Sequence, residues 1–101
     1  MENQHRKITG YRELNTEEIA LMNEIKELGS KFEGMLLKVQ KHIKTQRDSC
    51  FIIEQFKEIT DQEEYERLEL ATPERFAAMA KTEFQTGLMY LVRSVAQPTT
   101  F

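Results

Sequence analysis

Tryptophan is absent from this sequence, which also holds a single cysteine, two prolines, four glycines and two histidines. One cysteine, Cys50, excludes an internal disulfide and fits a reducing compartment. No apolar run approaches the roughly 20 residues of a membrane helix. The first ten residues, MENQHRKITG, contain no apolar stretch of the signal-peptide kind. Bases are also outnumbered: 14 Lys and Arg stand against 17 Asp and Glu. The net charge of −3 argues against a general binder of duplex nucleic acid, which needs a basic face. No GxGxxG, phosphate-cradling P-loop or HExxH motif is present. His5 and His42 lie far apart beside one cysteine, so neither a metal site nor a cofactor is expected. A Cys50–His42 or Cys50–His5 nucleophile pair is open on spacing, but Cys50 precedes the apolar run Phe51-Ile52-Ile53 and reads as a packed thiol.

What remains is a helical pattern. The chain is 101 residues long, which suits one domain, and a helical protein of this size gains burial by assembling. Residues 1–14 form a basic arm with His5, Arg6, Lys7 and Arg12 around Gly10-Tyr11. Asn15-Thr16-Glu17-Glu18 is a helix start with two candidate caps and two acids for the first turn. The first long helix is expected over 16–44, with a core seam at Met22, Ile25, Gly29, Phe32, Leu36, Val39 and Ile43. A second apolar row, Leu21, Leu28 and Met35, exceeds what one partner helix can cover and is read as contact with another chain or with the arm.

Residues 45–72 form a variable middle or tip. A break is expected at Thr45–Ser49, then a helical stretch through CFIIEQFKEI, then a charged helical tip or loop over Asp61–Leu70. Charge concentrates here. Residues 54–70 hold seven acids and two bases, net −5, which leaves +2 of the total −3 on the rest. A small anion is better held away from this segment. Thr72-Pro73-Glu74 opens the last helix, expected over 73–97, with Pro73 at its first position. Its expected core face is Ala77, Ala80, Phe84, Gly87, Leu91 and Val95, and the small residues at 77, 80 and 87 are expected to admit a close partner helix. Pro98 stops it. The expected fold is therefore all-α: an antiparallel helical hairpin with a short N-terminal arm or helix, one domain spanning 1–101, assembling into a compact homo-oligomer.

Two groups of residues suit anion binding. On the last helix Thr82, Thr86, Met89 and Arg93 share a face, with Arg75 near the same line and Lys81 and Gln85 beside it. Hydroxyls, an amide and cations are what a phosphodiester needs. Tyr11 and Lys26 are the second group: a ring to stack on a base and an ammonium for a phosphate. An ordinary solvated face and a chance pairing are the competing readings of the two.

The motifs HRKxxGYRxL, LMNxIK and QTGLMxLxRxVAQP resemble the phage anti-CBASS protein two family. That family shares its helical hairpin domain with the Thoeris anti-defence protein one family. The resemblance covers both ends of the chain and leaves out 45–71. It implies a homohexameric sponge that sequesters cyclic di- and trinucleotide messengers, 3',3'-cyclic GMP-AMP among them, without cleaving them, in the cytoplasm of the infected bacterial host. It also implies a cyclic-dinucleotide pocket from Gly10, Tyr11 and Lys26, shared between subunits. Lys81, Thr82, Gln85 and Thr99 are assigned to a cyclic-trinucleotide pocket. Phe76 stands where the family often has tryptophan, a difference expected to alter core packing. The alternatives are a sponge for the Thoeris glycocyclic ADP-ribose signal and a cyclic-nucleotide hydrolase. No membrane partner is implied.

Overall fold

The computed structural model describes residues 12–51 and 58–100. Three helices fill most of them: α1 (Thr16–Asp48), α2 (Gln62–Ala71) and α3 (Pro73–Ala96). Local chemistry sets their ends. Asn15 caps α1, its side-chain oxygen accepting from the Glu18 N–H at 2.8 Å while the Glu18 carboxylate accepts from the Asn15 N–H at 2.9 Å. This reciprocal pair is a capping box. Asp61 caps α2 by accepting from the Glu64 N–H. Both caps immediately precede an acid-rich first turn, where the helix dipole favours negative charge.

α1 runs four residues beyond the expected end at Lys44, and no break occurs at Thr45. The Thr45 hydroxyl donates back to the Lys41 carbonyl at 3.0 Å, so this polar residue satisfies itself within the helix. Past α1, Phe51 and Ile59 form an isolated antiparallel bridge. The expected helical stretch therefore does not include those two positions; residues 52–57, Ile52 and Phe56 among them, lie outside the described residues. The Cys50 carbonyl accepts from the Thr60 N–H at 2.7 Å and the Thr60 hydroxyl at 3.2 Å, and Phe51 meets Tyr65 edge to face at 5.9 Å. These contacts tie the start of α2 to the end of α1. The acid-rich segment, expected as a helical tip or a loop, is helical: it forms α2, supported by Arg67 gripping Glu64 one turn back.

The chain divides into two compact units. The first comprises Met1–Lys31 and Glu83–Phe101. There Arg12, just before α1, reaches Val95 and Ala96 at the end of α3, while a Cβ on Gly29 would stand 3.1 Å from the Leu88 Cδ1. The pairing is antiparallel, and Leu88 fills the space that glycine leaves. The second unit, Phe32–Thr82, is also antiparallel: Leu36, Ile43 and Ala77 form its core with Phe32 against them, and Arg47 meets Glu74.

The core face of α3 differs from the expected one. Ala77 is buried and Phe84, Leu88 and Val95 are half-buried, but Ala80, Gly87 and Leu91 are exposed, and a Cβ on Gly87 would meet nothing within 4 Å. A leucine buries apolar surface and a glycine buries none, so Leu88 takes the seam position that Gly87 was expected to hold. Val39 is likewise 41% exposed. Phe76 is 57% exposed, its ring under the Arg75 guanidinium at 5.6 Å, so its difference from tryptophan does not touch the core.

Thr72 links α2 to α3 in the left-handed region, at φ 45 and ψ 57, its N–H closing α2 on the Leu68 carbonyl. This conformation costs an L residue about 1–2 kcal/mol, and a β-branched one resists it most. Thr72→Gly is expected to stabilise the fold by about 0.5–1 kcal/mol after the added unfolded-state entropy. A rise in the thermal midpoint of about 2–8 °C checks it.

Candidate functional site

Arg12 organises the first unit's open end. Its Nη2 donates to Glu18 at 2.5 Å and to the Val95 carbonyl at 2.8 Å, its Nη1 to Glu18 at 3.2 Å and its Nε to the Ala96 carbonyl at 3.2 Å. Glu18 is placed for this by its own cap with Asn15. Val95 and Ala96 belong to the last turn of α3, whose final carbonyls lack helical partners and carry the negative end of the dipole. One guanidinium thus joins the segment leading into α1, the first turn of α1 and the end of α3. Beyond α3, Gln97 takes a left-handed φ of 52 and Arg93 donates to the Thr100 carbonyl at 3.3 Å.

Lys26 lies on α1, exposed, beside the half-buried Ile25 and Met22, and makes no hydrogen bond or ion pair with another described residue. Gly10 and Tyr11 lie outside the described residues, so Lys26 is the placed member of its group. Lys81, Thr82 and Gln85 are exposed on α3, and Thr99 is exposed beyond its end. Thr82 donates to the Ala78 carbonyl at 3.3 Å. Lys81 and Thr82 belong to the second unit, Gln85 and Thr99 to the first.

The second unit has its own charged cluster. Arg47 donates to both Glu74 oxygens, at 2.6 and 2.9 Å, and lies 3.5 Å from Glu69. A groove of about 350 Å³ beside it is lined by Gln40, Ile43, Lys44, Arg47, Glu74 and Ala77. Cys50 is fully buried, with Sγ 3.4 Å from the Gln46 carbonyl, and burial pushes its thiol up. It is a packed thiol, as its apolar neighbours suggested. Among the described residues, no group of three His, Cys, Asp or Glu side chains could hold a metal, and no helix is long and apolar enough to cross a membrane.

The hairpin geometry has a counterpart among known families. The family model for the Acb2/Tad1 hairpin domain matches residues 3–96. The chain belongs to that family. Its relatives include Anti-CBASS protein 2 of Pseudomonas phage JBD67, 37% identical over 105 residues that cover 97% of each chain. The motif HRKxxGYRxL contains Arg12, which from sequence alone is only one cation of a basic arm. Its signal was the acid at Glu18, which both caps α1 and faces a cation six residues earlier.

Among the described residues, three carboxylates sit below the ordinary value of 4.5: Glu18 through its hydrogen bond with Arg12, Glu64 through Arg67 and Glu74 through Arg47. Such groups stabilise the folded state fully above their unfolded value, and that contribution is lost as pH falls through the lower folded value. The thermal midpoint is therefore expected to fall as pH drops below 4.5. Glu74→Gln should lower the midpoint at neutral pH and make the acid limb shallower. Melting curves followed by circular dichroism across the acid range check both.

Proposed function

We propose that this protein is a phage anti-CBASS sponge. It binds cyclic di- and trinucleotide messengers, including 3',3'-cyclic GMP-AMP, holds them intact and so keeps the host immune effector from being activated. It acts in the cytoplasm of the infected bacterium. The observation that carries this reading is the likeness, along 97% of both chains, to a phage protein named for anti-CBASS action.

The dinucleotide pocket is assigned to Gly10, Tyr11 and Lys26 and the trinucleotide pocket to Lys81, Thr82, Gln85 and Thr99. Lys26 supports the first assignment because its ammonium is exposed and has no described partner to give up. A two-fold ligand suits a two-fold interface, each subunit supplying one ring and one ammonium. The assembly is a homohexamer. Its support in each unit is apolar surface that a single chain leaves open: Leu21 and Leu28 in the first, Met35 and Phe76 in the second.

The family model spans Acb2 and Tad1 hairpin domains alike, which favours one second reading, a sponge for the Thoeris glycocyclic ADP-ribose. Calorimetric competition separates the two. Titrating 3',3'-cyclic GMP-AMP into protein in the presence of excess glycocyclic ADP-ribose should give undiminished heat and affinity. No binding of the dinucleotide, alone or in competition, would count against the sponge proposed here.

A further inference from the structure

Asn23 lies in the motif LMNxIK, three residues before Lys26 on the body of α1. Asparagine is a poor choice for a helix interior, because its side chain competes for backbone hydrogen bonds and serves best in caps and turns. Among the described residues Asn23 is the one asparagine inside a helix, whereas Asn15 caps α1. Neither capping nor a backbone bond accounts for it. Its amide is exposed and makes no hydrogen bond with another described residue, not even with Glu27 one turn further on. Lys26 gives that free amide its context. Residues three and four apart on a helix stand side by side, with Cβ atoms about 5–6 Å apart. Those neighbours of Lys26 are Met22, Asn23, Gly29 and Ser30, so none of the four is a carboxylate that could neutralise its ammonium. Lys44 shows the contrast: Asp48, four residues on, accepts from its ammonium at 2.6 Å. Ile19, Asn23, Lys26 and Ser30, spaced four, three and four apart, form one exposed stripe within the first unit. It offers an apolar contact, an amide, a cation and a hydroxyl in turn.

We infer that Asn23 is a specificity-determining residue for cyclic dinucleotides: beside a phosphate held by Lys26, its amide reads the edge of an adenine, accepting from the N6 amino group and donating to N7. This rests on the proposed sponge reading. The chemistry of the amide selects the base. An asparagine presents an acceptor and a donor side by side, which matches the paired N6 donor and N7 acceptor of adenine. Guanine presents two acceptors there, O6 and N7, and would leave the amide oxygen facing another oxygen. A lysine beside it cannot make this distinction, because every cyclic dinucleotide carries the same phosphates. In a two-fold pocket each subunit supplies one amide, so a ligand with two adenines satisfies both.

The test is calorimetry of the full chain with 3',3'-cyclic di-AMP and 3',3'-cyclic di-GMP. Helix content by circular dichroism and subunit mass by light scattering confirm the fold of the variant, and alanine is the better helix former at this position. The wild type should bind cyclic di-AMP at least about tenfold more tightly than cyclic di-GMP. Asn23→Ala should weaken cyclic di-AMP about tenfold or more and cyclic di-GMP less than about twofold, so that the preference collapses. A second measurement needs no variant. Cyclic di-AMP with each N7 replaced by carbon lacks the acceptor, and the wild type should bind it about fivefold or more weakly than the parent ligand. A wild type without preference for adenine overturns the inference, as does one indifferent to N7, or an Asn23→Ala variant that loses both dinucleotides equally. A wild type that binds no cyclic dinucleotide removes the sponge reading and this inference together, whereas wild-type binding with a preference that Asn23→Ala leaves intact removes the role of Asn23 alone.

Discussion

Replacing Lys26 with alanine is expected to weaken 3',3'-cyclic GMP-AMP binding by at least about a hundredfold, with the fold unchanged. The side chain is exposed on the body of α1 and makes no contact with a described polar group, so its removal breaks nothing in the chain itself. Alanine is also the better helix former. The loss falls on the ligand. A hydrogen bond to a charged group is worth about 1.5–3 kcal/mol, and a two-fold pocket loses two of them. Trinucleotide binding, assigned to α3, should be spared. Equal loss of both ligands would point to a general charge effect, and loss of neither would remove Lys26 from the pocket.

The second large effect belongs to stability. Leu68 on α2 is 1% exposed and Leu70, two residues on, is 87% exposed. Leu68→Ala is expected to cost about 2–5 kcal/mol, because it deletes buried methyl groups and leaves a cavity. That is a large share of the 5–15 kcal/mol typical of a whole domain, and the thermal midpoint should fall by more than about 10 °C. Leu70→Ala should change it by no more than about 0.5 kcal/mol. The contrast matters because α2 lies in the acid-rich segment, whose charges alone suggest a solvated tip. If both substitutions prove equally mild, α2 does not dock as described.

The parts of this fold that were readable from sequence are those set by short-range chemistry. Asn15 and Glu18 are three residues apart, and a cap with its reciprocal acid needs no tertiary partner. Thr72-Pro73-Glu74 likewise announces α3, since proline's fixed φ suits the first helical position. The seam of α1 was readable because its period repeats over many turns, and Leu36 and Ile43 are buried where that period puts them.

What escaped the sequence depends on the partner. Whether position 87 or 88 faces α1 turns on Gly29, which leaves room for Leu88 and gives Gly87 nothing to meet. A break is expected from Thr45, whose hydroxyl can compete with the backbone; the geometry shows it turned back onto Lys41 within the helix. The clasp of Arg12 spans more than eighty residues to Val95 and Ala96, and no local pattern encodes such a meeting. Of the site residues, Lys26 and the α3 group could be named for their chemistry. Their assignment to particular ligands came from the resemblance, because exposed lysine and threonine on a helix are common and a wet surface explains them equally well.

The most direct test of the account is native mass spectrometry of the chain mixed with 3',3'-cyclic GMP-AMP. The account predicts a six-subunit assembly whose added mass is a whole number of intact cyclic dinucleotides. An assembly that carries no ligand, or one that carries the mass of a linear hydrolysis product, would contradict it.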